Sequence, residues 1–200
     1  MTHLRYADAT DAVQCAALFD IVRASPVLMT ALSTARAMDL PDWWIVAGAI
    51  YNQVWNHLTD RSQMTGVKDI DLFYFDPDTS YVAEDVVIRR AASLFPTHPP
   101  VEPRNQARVH LWYADHFGVP CPAYKNSTQP IDNFACKTHC VGLRLGPDDS
   151  FALYAPYGLS DIFSFRVTPN LRLVNRATHE VKAARQKLIW PELEVVPWPS

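Results

Sequence analysis

Residues 68–75 read Lys-Asp-Ile-Asp-Leu-Phe-Tyr-Phe, and this stretch predicts a buried strand that begins with two carboxylates. Residues two apart in a strand point to the same face, so Asp69 and Asp71 share one side. Their like charges repel unless a positive group lies between them. Magnesium meets that need, because it binds oxygen ligands and keeps positions open for phosphate. Two solvent-facing acids on an amphipathic strand are the alternative, although the apolar residues that follow argue against exposure.

The residues upstream predict a strand, a glycine turn and a helix. Residues 43–47 are a short apolar run, Gly48 interrupts it, and residues 49–58 place Ile50, Val54 and Leu58 on one helical face. Glycine lets backbone approach a phosphate closely, and a helix N-terminus directs free N–H groups at it. A plain tight turn is the alternative interpretation.

A third acid stands at the start of the next predicted extended segment, residues 101–112. Glu102 could hold a metal or take a proton from an attacking hydroxyl, and a glutamate at a loop edge is the alternative. Asp76 is a competitor for this role. It lies five residues beyond Asp71, so strand geometry turns it to the opposite face.

A polar row follows Glu102 in the sequence. If the extended segment continues to Trp112, Gln106, Arg108 and His110 share one face, next to Asn105. Arg108 could clamp a phosphate through two parallel hydrogen bonds. An edge strand with a solvated face is the alternative.

The whole chain of 200 residues is expected to form one domain. Residues 1–40 predict an N-terminal helical segment, residues 43–168 a mixed α/β core with a hairpin near its end, and residues 175–200 a C-terminal helix with a proline-rich tail. The C-terminal helix carries a basic face.

The composition sets limits on partners and compartment. The net charge is -3 and the pI about 6.1, which predicts no strong general affinity for nucleic acid or an anionic membrane. No run reaches the length of a membrane span, and the first residues lack the pattern of a signal peptide, so we expect a cytoplasmic protein.

The four cysteines are expected to be free thiols. Cys136, His139 and Cys140 lie close together in the sequence, but a closed zinc site needs a fourth ligand, usually from a second pair, and none is evident.

Together these pieces resemble the DNA polymerase beta-like nucleotidyltransferase superfamily, in which a strand, a glycine turn and a helix precede Asp-x-Asp and a later third acid. The chain is most similar to a family of small bacterial nucleotidyltransferase proteins, and the similarity runs through most of its length. The stretches that carry it are 47–49, 54–58, 68–71, 74–76, 104–110, 141–144 and 155–159, followed by Lys182 and residues 190–191. Two features depart from the family pattern. The glycine turn is Gly48-Ala49, without a serine hydroxyl, and residues 134–140 differ from the tryptophan- and threonine-rich segment that the resemblance leads us to expect.

The resemblance implies an α+β fold with a mixed sheet flanked by helices, and metal-dependent transfer of a nucleoside monophosphate from a nucleoside triphosphate. A hydroxyl of unknown identity would accept it, and pyrophosphate would leave. The expected ion is Mg²⁺ or Mn²⁺, and the expected catalytic and metal-binding residues are Asp69, Asp71 and Glu102. Expected substrate-binding residues are Gly48, Ala49, Asn52, Lys68, Asn105, Arg108 and His110.

Two other functions stay open from the sequence. One is a catalytically inactive module of the same fold that binds nucleotide or protein. The other is a metal-dependent nuclease, whose Glu-x-Lys pattern matches Glu180-Val181-Lys182 by letter, although these residues are predicted to be helical.

Overall fold

The computed structural model describes residues 2–200 and is built around a five-stranded sheet. The strands are β1 (Trp44–Val46), β2 (Ile70–Tyr74), β3 (Val101–Asn105), β4 (Gly142–Leu145) and β5 (Phe151–Tyr154). Their order is β3-β2-β1-β4-β5; β2 and β3 are parallel, and the other neighbours are antiparallel. The predicted mixed sheet flanked by helices is confirmed, as is the hairpin of β4 and β5.

Seven α-helices accompany the sheet in the described residues. They are α1 (Asp11–Arg23), α2 (Pro26–Ala37), α3 (Gly48–Leu58), α4 (Tyr81–Leu94), α5 (Tyr113–Phe117), α6 (Ser160–Phe163) and α7 (Arg176–Ile189). β6 (Arg166–Val167) and β7 (Glu194–Val195) form a small parallel pair. No single helix in residues 2–200 is long and apolar enough to cross a membrane; α1 and α2 pass that test only as a pair, bent by 91°.

The main core lies on one face of the sheet. Ile70, Leu72 and Tyr74 alternate along β2 and are each no more than 3% exposed. They pack in one cluster with the apolar sides of α1, α2 and α3. Burying such side chains is worth roughly 1.5–3 kcal/mol each, so this face supplies most of the stabilising contact.

The parallel pairing of β2 with β3 fixes which side chains are neighbours on the other face. Asp71 is opposite Glu102, and Phe73 is opposite Arg104. The connection between the two strands passes through α4, as a parallel pair requires a crossover. On its other side β2 is antiparallel to β1, and Val46 is opposite Asp71. Because β1 runs into α3, that helix begins near the Asp69 end of β2.

The C-terminal helix is anchored on α3. The indole of Trp190, which is 1% exposed, donates a hydrogen bond of 3.0 Å to Asn56 Oδ1. Gln186 Nε2 donates to the Tyr51 hydroxyl at 2.8 Å. These buried contacts hold α7 against the same helix whose N-terminus reaches the two aspartates.

One prediction about β3 is wrong. The strand ends at Asn105, and residues 109–111 form a 3₁₀ turn instead of continuing as a strand to Trp112. The Asn105 amide donates to the carbonyls of Asp76 and Asp78, and its Oδ1 accepts from the backbone N–H of Asp76 and Ala107. This network turns the chain, so Gln106, Arg108 and His110 do not share a strand face.

Candidate active site

Asp71 is the most buried carboxyl of the site. Its pKa is raised to about 6, chiefly by burial and also by the neighbouring carboxylates of Asp69 and Glu102, although the charges of Lys182 and Arg104 lower it. Arg104 of β3 and Lys182 of α7 line the same cleft as this carboxyl. The site therefore brings together acids from β2 and β3 and a lysine from α7.

The two aspartates have the donor set that a magnesium ion needs. Among the hydrogen bonds and ion pairs of residues 2–200, none involves the carboxylate of Asp69 or Asp71. Glu102 is different, because its carboxylate pairs with Arg104 at 3.0 Å. Within that same range no three His, Cys, Asp or Glu side chains group around a common point. Magnesium commonly uses one or two protein carboxylates plus substrate phosphates, so Asp69 and Asp71 fit it without Glu102.

The N-terminus of α3 lies next to these acids and lacks a side-chain cap. Its N-cap residue is Ala47, held at φ 53°, and no side chain accepts a hydrogen bond from the first turn. A methyl group added at Gly48 would meet the Tyr51 hydroxyl at 3.6 Å and Asn52 Nδ2 at 3.7 Å, which are ordinary contacts. Internal packing therefore does not require glycine here, and the free N–H groups remain available for an anion.

Asn52, on the same helix, serves the loop before β2. Its Nδ2 donates to the Gly66 carbonyl at 3.3 Å. Its Oδ1 is buried and has no hydrogen-bond partner in the described chain. Asn52 therefore lies close to the start of α3, with one polar atom uncommitted.

One side of α7 borders the cleft. Thr178 and Lys182, four residues apart, both line it, and Arg185 follows three residues later on the same helical side, where it is exposed. The charge of Lys182 lowers the pKa of Asp71. The charge of Arg185 lowers the pKa of Tyr51, although burial raises that pKa overall. The sequence predicts a basic face on this helix but does not reveal that Lys182 lies in the site. Only the docking of α7 shows that the lysine is near β2.

A cleft of about 180 Å³ extends from Asp71 between the sheet and the start of α7. Its polar lining includes Arg104, Gln106, Asn133 and Lys182. Its aromatic lining is Phe73, Trp112, Tyr113, Phe117, Tyr124 and Phe134. Asn175 Nδ2, at the start of α7, donates to the Tyr113 hydroxyl at 3.2 Å, whereas Lys182, two turns further along, lies near Asp71. The cleft therefore has a charged end at Asp71 and Lys182 and an aromatic end near the start of α7.

Several residues predicted to bind substrate have other contacts. The Arg108 guanidinium binds the Glu84 carboxylate and donates to the Thr79 carbonyl, and Asn105 holds the turn after β2. Neither lines the cleft, nor does His110, whose Nδ1 is buried without a partner in residues 2–200. Lys68 is exposed beside Asp69. Of the predicted polar row, Gln106 alone lines the cleft.

The two alternatives based on short motifs find no support in the geometry. Cys136 Sγ lies 3.2 Å from His179 Nδ1, and His139 Nε2 lies 3.0 Å from Gln186 Oε1, so these groups contact different partners. The cysteines are free thiols, as predicted. Glu180 is half-exposed in α7 and pairs with Arg176, so Glu180-Val181-Lys182 does not form the strand motif of a nuclease.

Comparison with known proteins assigns a class to this fold and site. A family model described as nucleotidyltransferase matches residues 33–195. A solved NMR structure described as a CCA-adding enzyme head domain is 30% identical; the match covers 90% of this chain and 95% of that chain, with a TM-score of 0.74. None of the curated proteins matches significantly.

The fold is thus the DNA polymerase beta-like nucleotidyltransferase fold that the sequence predicted. The chain belongs to the nucleotidyltransferase family, because the match spans most of its length.

Proposed function

We propose that this protein transfers a nucleoside monophosphate from a nucleoside triphosphate to a hydroxyl acceptor, with a divalent metal ion held by Asp69 and Asp71. One observation carries the proposal: two adjacent carboxylates without protein partners lie between an uncapped helix N-terminus and a lysine from α7. Such an arrangement is costly for the protein alone and becomes balanced when a cation and an anion bind together.

Asp69 and Asp71 would hold Mg²⁺ or Mn²⁺. When bound, the ion would neutralise charge on the triphosphate and make the attacking hydroxyl more acidic. Glu102 lies beside Asp71 in the neighbouring strand and would accept the proton that the hydroxyl loses.

The rest of the site would position the triphosphate. The backbone N–H groups of Gly48 and Ala49 would bind phosphate oxygens, while Lys182 and Arg185 would offset their charge from α7. The acceptor oxygen would bond to the α-phosphorus as the bond from that phosphorus to the bridging oxygen breaks. Pyrophosphate would leave carrying the negative charge.

The test is calorimetric titration with ATP, CTP, GTP and UTP, with and without Mg²⁺. The wild type is expected to bind at least one of them only with magnesium, and Asp69→Ala/Asp71→Ala is expected to lose that binding. Asp11→Ala/Asp20→Ala is the control, because it removes the same two charges from the exposed side of α1. Equal binding by the wild type and the Asp69/Asp71 variant would overturn the proposed site.

Turnover needs a second measurement, the release of pyrophosphate in an acceptor screen. RNA 3′ ends are the first acceptors to test, since the similar solved domain is described as belonging to a CCA-adding enzyme. Magnesium-dependent binding without any turnover across the screen would favour the catalytically inactive nucleotide-binding module.

A further inference from the structure

The end of the cleft away from Asp71 has the properties of a site for a flat ring. Phe73 and Phe134 pack with ring centroids 5.8 Å apart, and Tyr113 and Phe117 with centroids 4.5 Å apart. All four line the cleft. Aromatic walls with a few polar groups are typical of pockets that bind a planar heterocycle.

Two amide side chains at this end have a fixed orientation. Gln106 is 1% exposed, and its Nε2 donates to the Arg104 carbonyl at 3.0 Å. Asn133 Nδ2 donates to the Gln129 carbonyl at 3.3 Å and to the Tyr124 hydroxyl at 3.2 Å. Because a backbone carbonyl only accepts hydrogen bonds, each amide must place its nitrogen there.

The oxygen ends of both amides are therefore left as acceptors. Neither Gln106 Oε1 nor Asn133 Oδ1 accepts a hydrogen bond from any other group in residues 2–200, and both residues line the cleft. Neither oxygen is among the buried side-chain atoms that lack a partner, so both are accessible from the cleft. A ligand that covers them would leave an acceptor unpaired unless it carries N–H donors.

The aromatic end of the cleft lies at a suitable distance from the charged end for a nucleotide to span the two. Asn175 contacts Tyr113 at the aromatic end, and Lys182 lies near Asp71 at the charged end. A helix rises 1.5 Å per residue, so Asn175 and Lys182 are about 10 Å apart along the axis. A nucleotide whose phosphates lie near Lys182 and Asp71 would thus direct its base toward Gln106 and Asn133.

We propose that the aromatic end of the cleft binds the nucleobase, and that Gln106 and Asn133 select bases with an exocyclic amino group over their keto counterparts. The inference rests on the proposed function, because it assumes that a triphosphate binds at Asp69 and Asp71. The amino group of adenine or cytosine would donate to these oxygens. The keto oxygen of hypoxanthine or uracil would instead place an acceptor against an acceptor.

The experiment compares two pairs of ligands that differ at that position, ATP with ITP and CTP with UTP. Each is titrated in the presence of Mg²⁺ into the full chain. In the wild type the amino member of at least one pair is expected to bind about tenfold more tightly, the effect of leaving one acceptor unpaired beneath the bound base. Gln106→Met is expected to reduce that ratio toward one.

Gln53→Met is the matched control. Gln53 is also buried, at 4% exposed, and its Nε2 donates to the Gln63 carbonyl at 2.9 Å, but it lies outside the cleft. This variant is expected to keep the wild-type ratio. Asn133→Asp, which retains oxygen acceptors, is expected to keep more of the ratio than Asn133→Leu. A ratio measured within one variant does not depend on the fraction of protein that is folded.

The outcomes separate this inference from the proposed function. Equal affinities within both pairs, or tighter binding of ITP and UTP, would overturn base selection while magnesium-dependent binding still supports the transferase site. An unchanged ratio in Gln106→Met would also overturn it. If the folded wild type binds no triphosphate with magnesium, the proposed function fails first, and the inference fails with it.

Discussion

The two faces of the five-stranded sheet receive opposite kinds of side chain from the same strand. Toward α1, α2 and α3, β2 presents Ile70, Leu72 and Tyr74, which are fully packed. Toward the cleft it presents Asp71 and Phe73, next to Glu102 and Arg104 of β3. The first face stabilises the fold, whereas the second holds a carboxyl whose charged form is disfavoured by its surroundings, as its raised pKa shows. Such a division is common where a site is built into a fold.

The largest expected effect comes from the packed face. Leu72→Ala removes a side chain that is 0% exposed, and we expect it to lower the free energy of unfolding by about 2–5 kcal/mol. Chemical denaturation measures this change. Val82→Ala is the control, because Val82 is 72% exposed on α4, and its effect is expected to be near zero. Similar losses in both variants would mean that this face does not provide the main core.

Substitution of Asp71, next to Leu72, is expected to raise the free energy of unfolding instead of lowering it. Asp71→Asn removes the buried charge, so we expect it to stabilise the protein at pH 7.5 by up to about 3 kcal/mol, because a pKa difference of one corresponds to about 1.4 kcal/mol. The same variant is expected to lose magnesium-dependent binding of nucleotide.

The pH dependence of that gain tests its cause. The Asp71 pKa is raised from 3.8 to about 6 in the folded state. The stability associated with protonating this group is fully present below pH 3.8 and is lost as the pH rises through 6. The advantage of Asp71→Asn should therefore shrink as the pH falls from 7 to 4. Denaturation curves across that range measure it, and a gain that is constant with pH would contradict the burial of a charged carboxyl.

Lys182→Met tests whether α7 contributes a cation to triphosphate binding. Loss of this cation is expected to weaken magnesium-dependent triphosphate binding about tenfold, the usual size of a charge-assisted hydrogen bond. Arg176→Met removes a cation from the same helix, but Arg176 is exposed and pairs with Glu180, so its affinity should match the wild type. Calorimetric titration with triphosphate and Mg²⁺ measures the affinity of each variant. Equal affinities in the two variants would show that Lys182 does not belong to the site.

The smallest effect on stability is expected at Gly48, in the turn between β1 and α3. Gly48→Ala introduces a methyl group with only ordinary contacts, and replacing glycine in a helix changes stability by about 1 kcal/mol or less. Triphosphate affinity is expected to fall, because the methyl group obstructs approach to the first N–H groups of α3. Melting and titration of the same sample separate the two effects. Unchanged affinity would show that phosphate does not approach Gly48.

The sequence predicted those parts of the molecule that depend on local periodicity. The apolar run after Asp69 predicted β2, helical spacing predicted α3 over residues 49–58, and residues 1–40 were predicted to be helical, which is where α1 and α2 lie. The pair Asp69 and Asp71 could be found because both lie in one short segment. Glu102 lies next to Asp71 as a candidate third acid should, although its pairing with Arg104 became visible only in the structure.

The remaining parts depend on contacts between distant residues. The end of β3 is set by the Asn105 amide, which bonds to the loop after β2, and no local pattern encodes that partner. Arg108 was expected to bind phosphate but binds Glu84 of α4. Lys182 reaches the site only because Gln186 and Trp190 anchor α7 on α3. Local sequence patterns predict the helices and strands and their apolar faces, whereas these side-chain contacts determine where β3 ends and how α7 packs on α3.

The anchoring of α7 also has a consequence for the order in which the chain is synthesised. A ribosome makes β2 and α3 well before it makes Lys182 and Trp190, and chains begin to fold from the N-terminal side during synthesis. A nascent chain would therefore carry both aspartates for a time without the lysine opposite them. Under the proposed function, it would bind nucleotide more weakly until α7 emerges and docks, so full affinity would also report that translation has passed this helix.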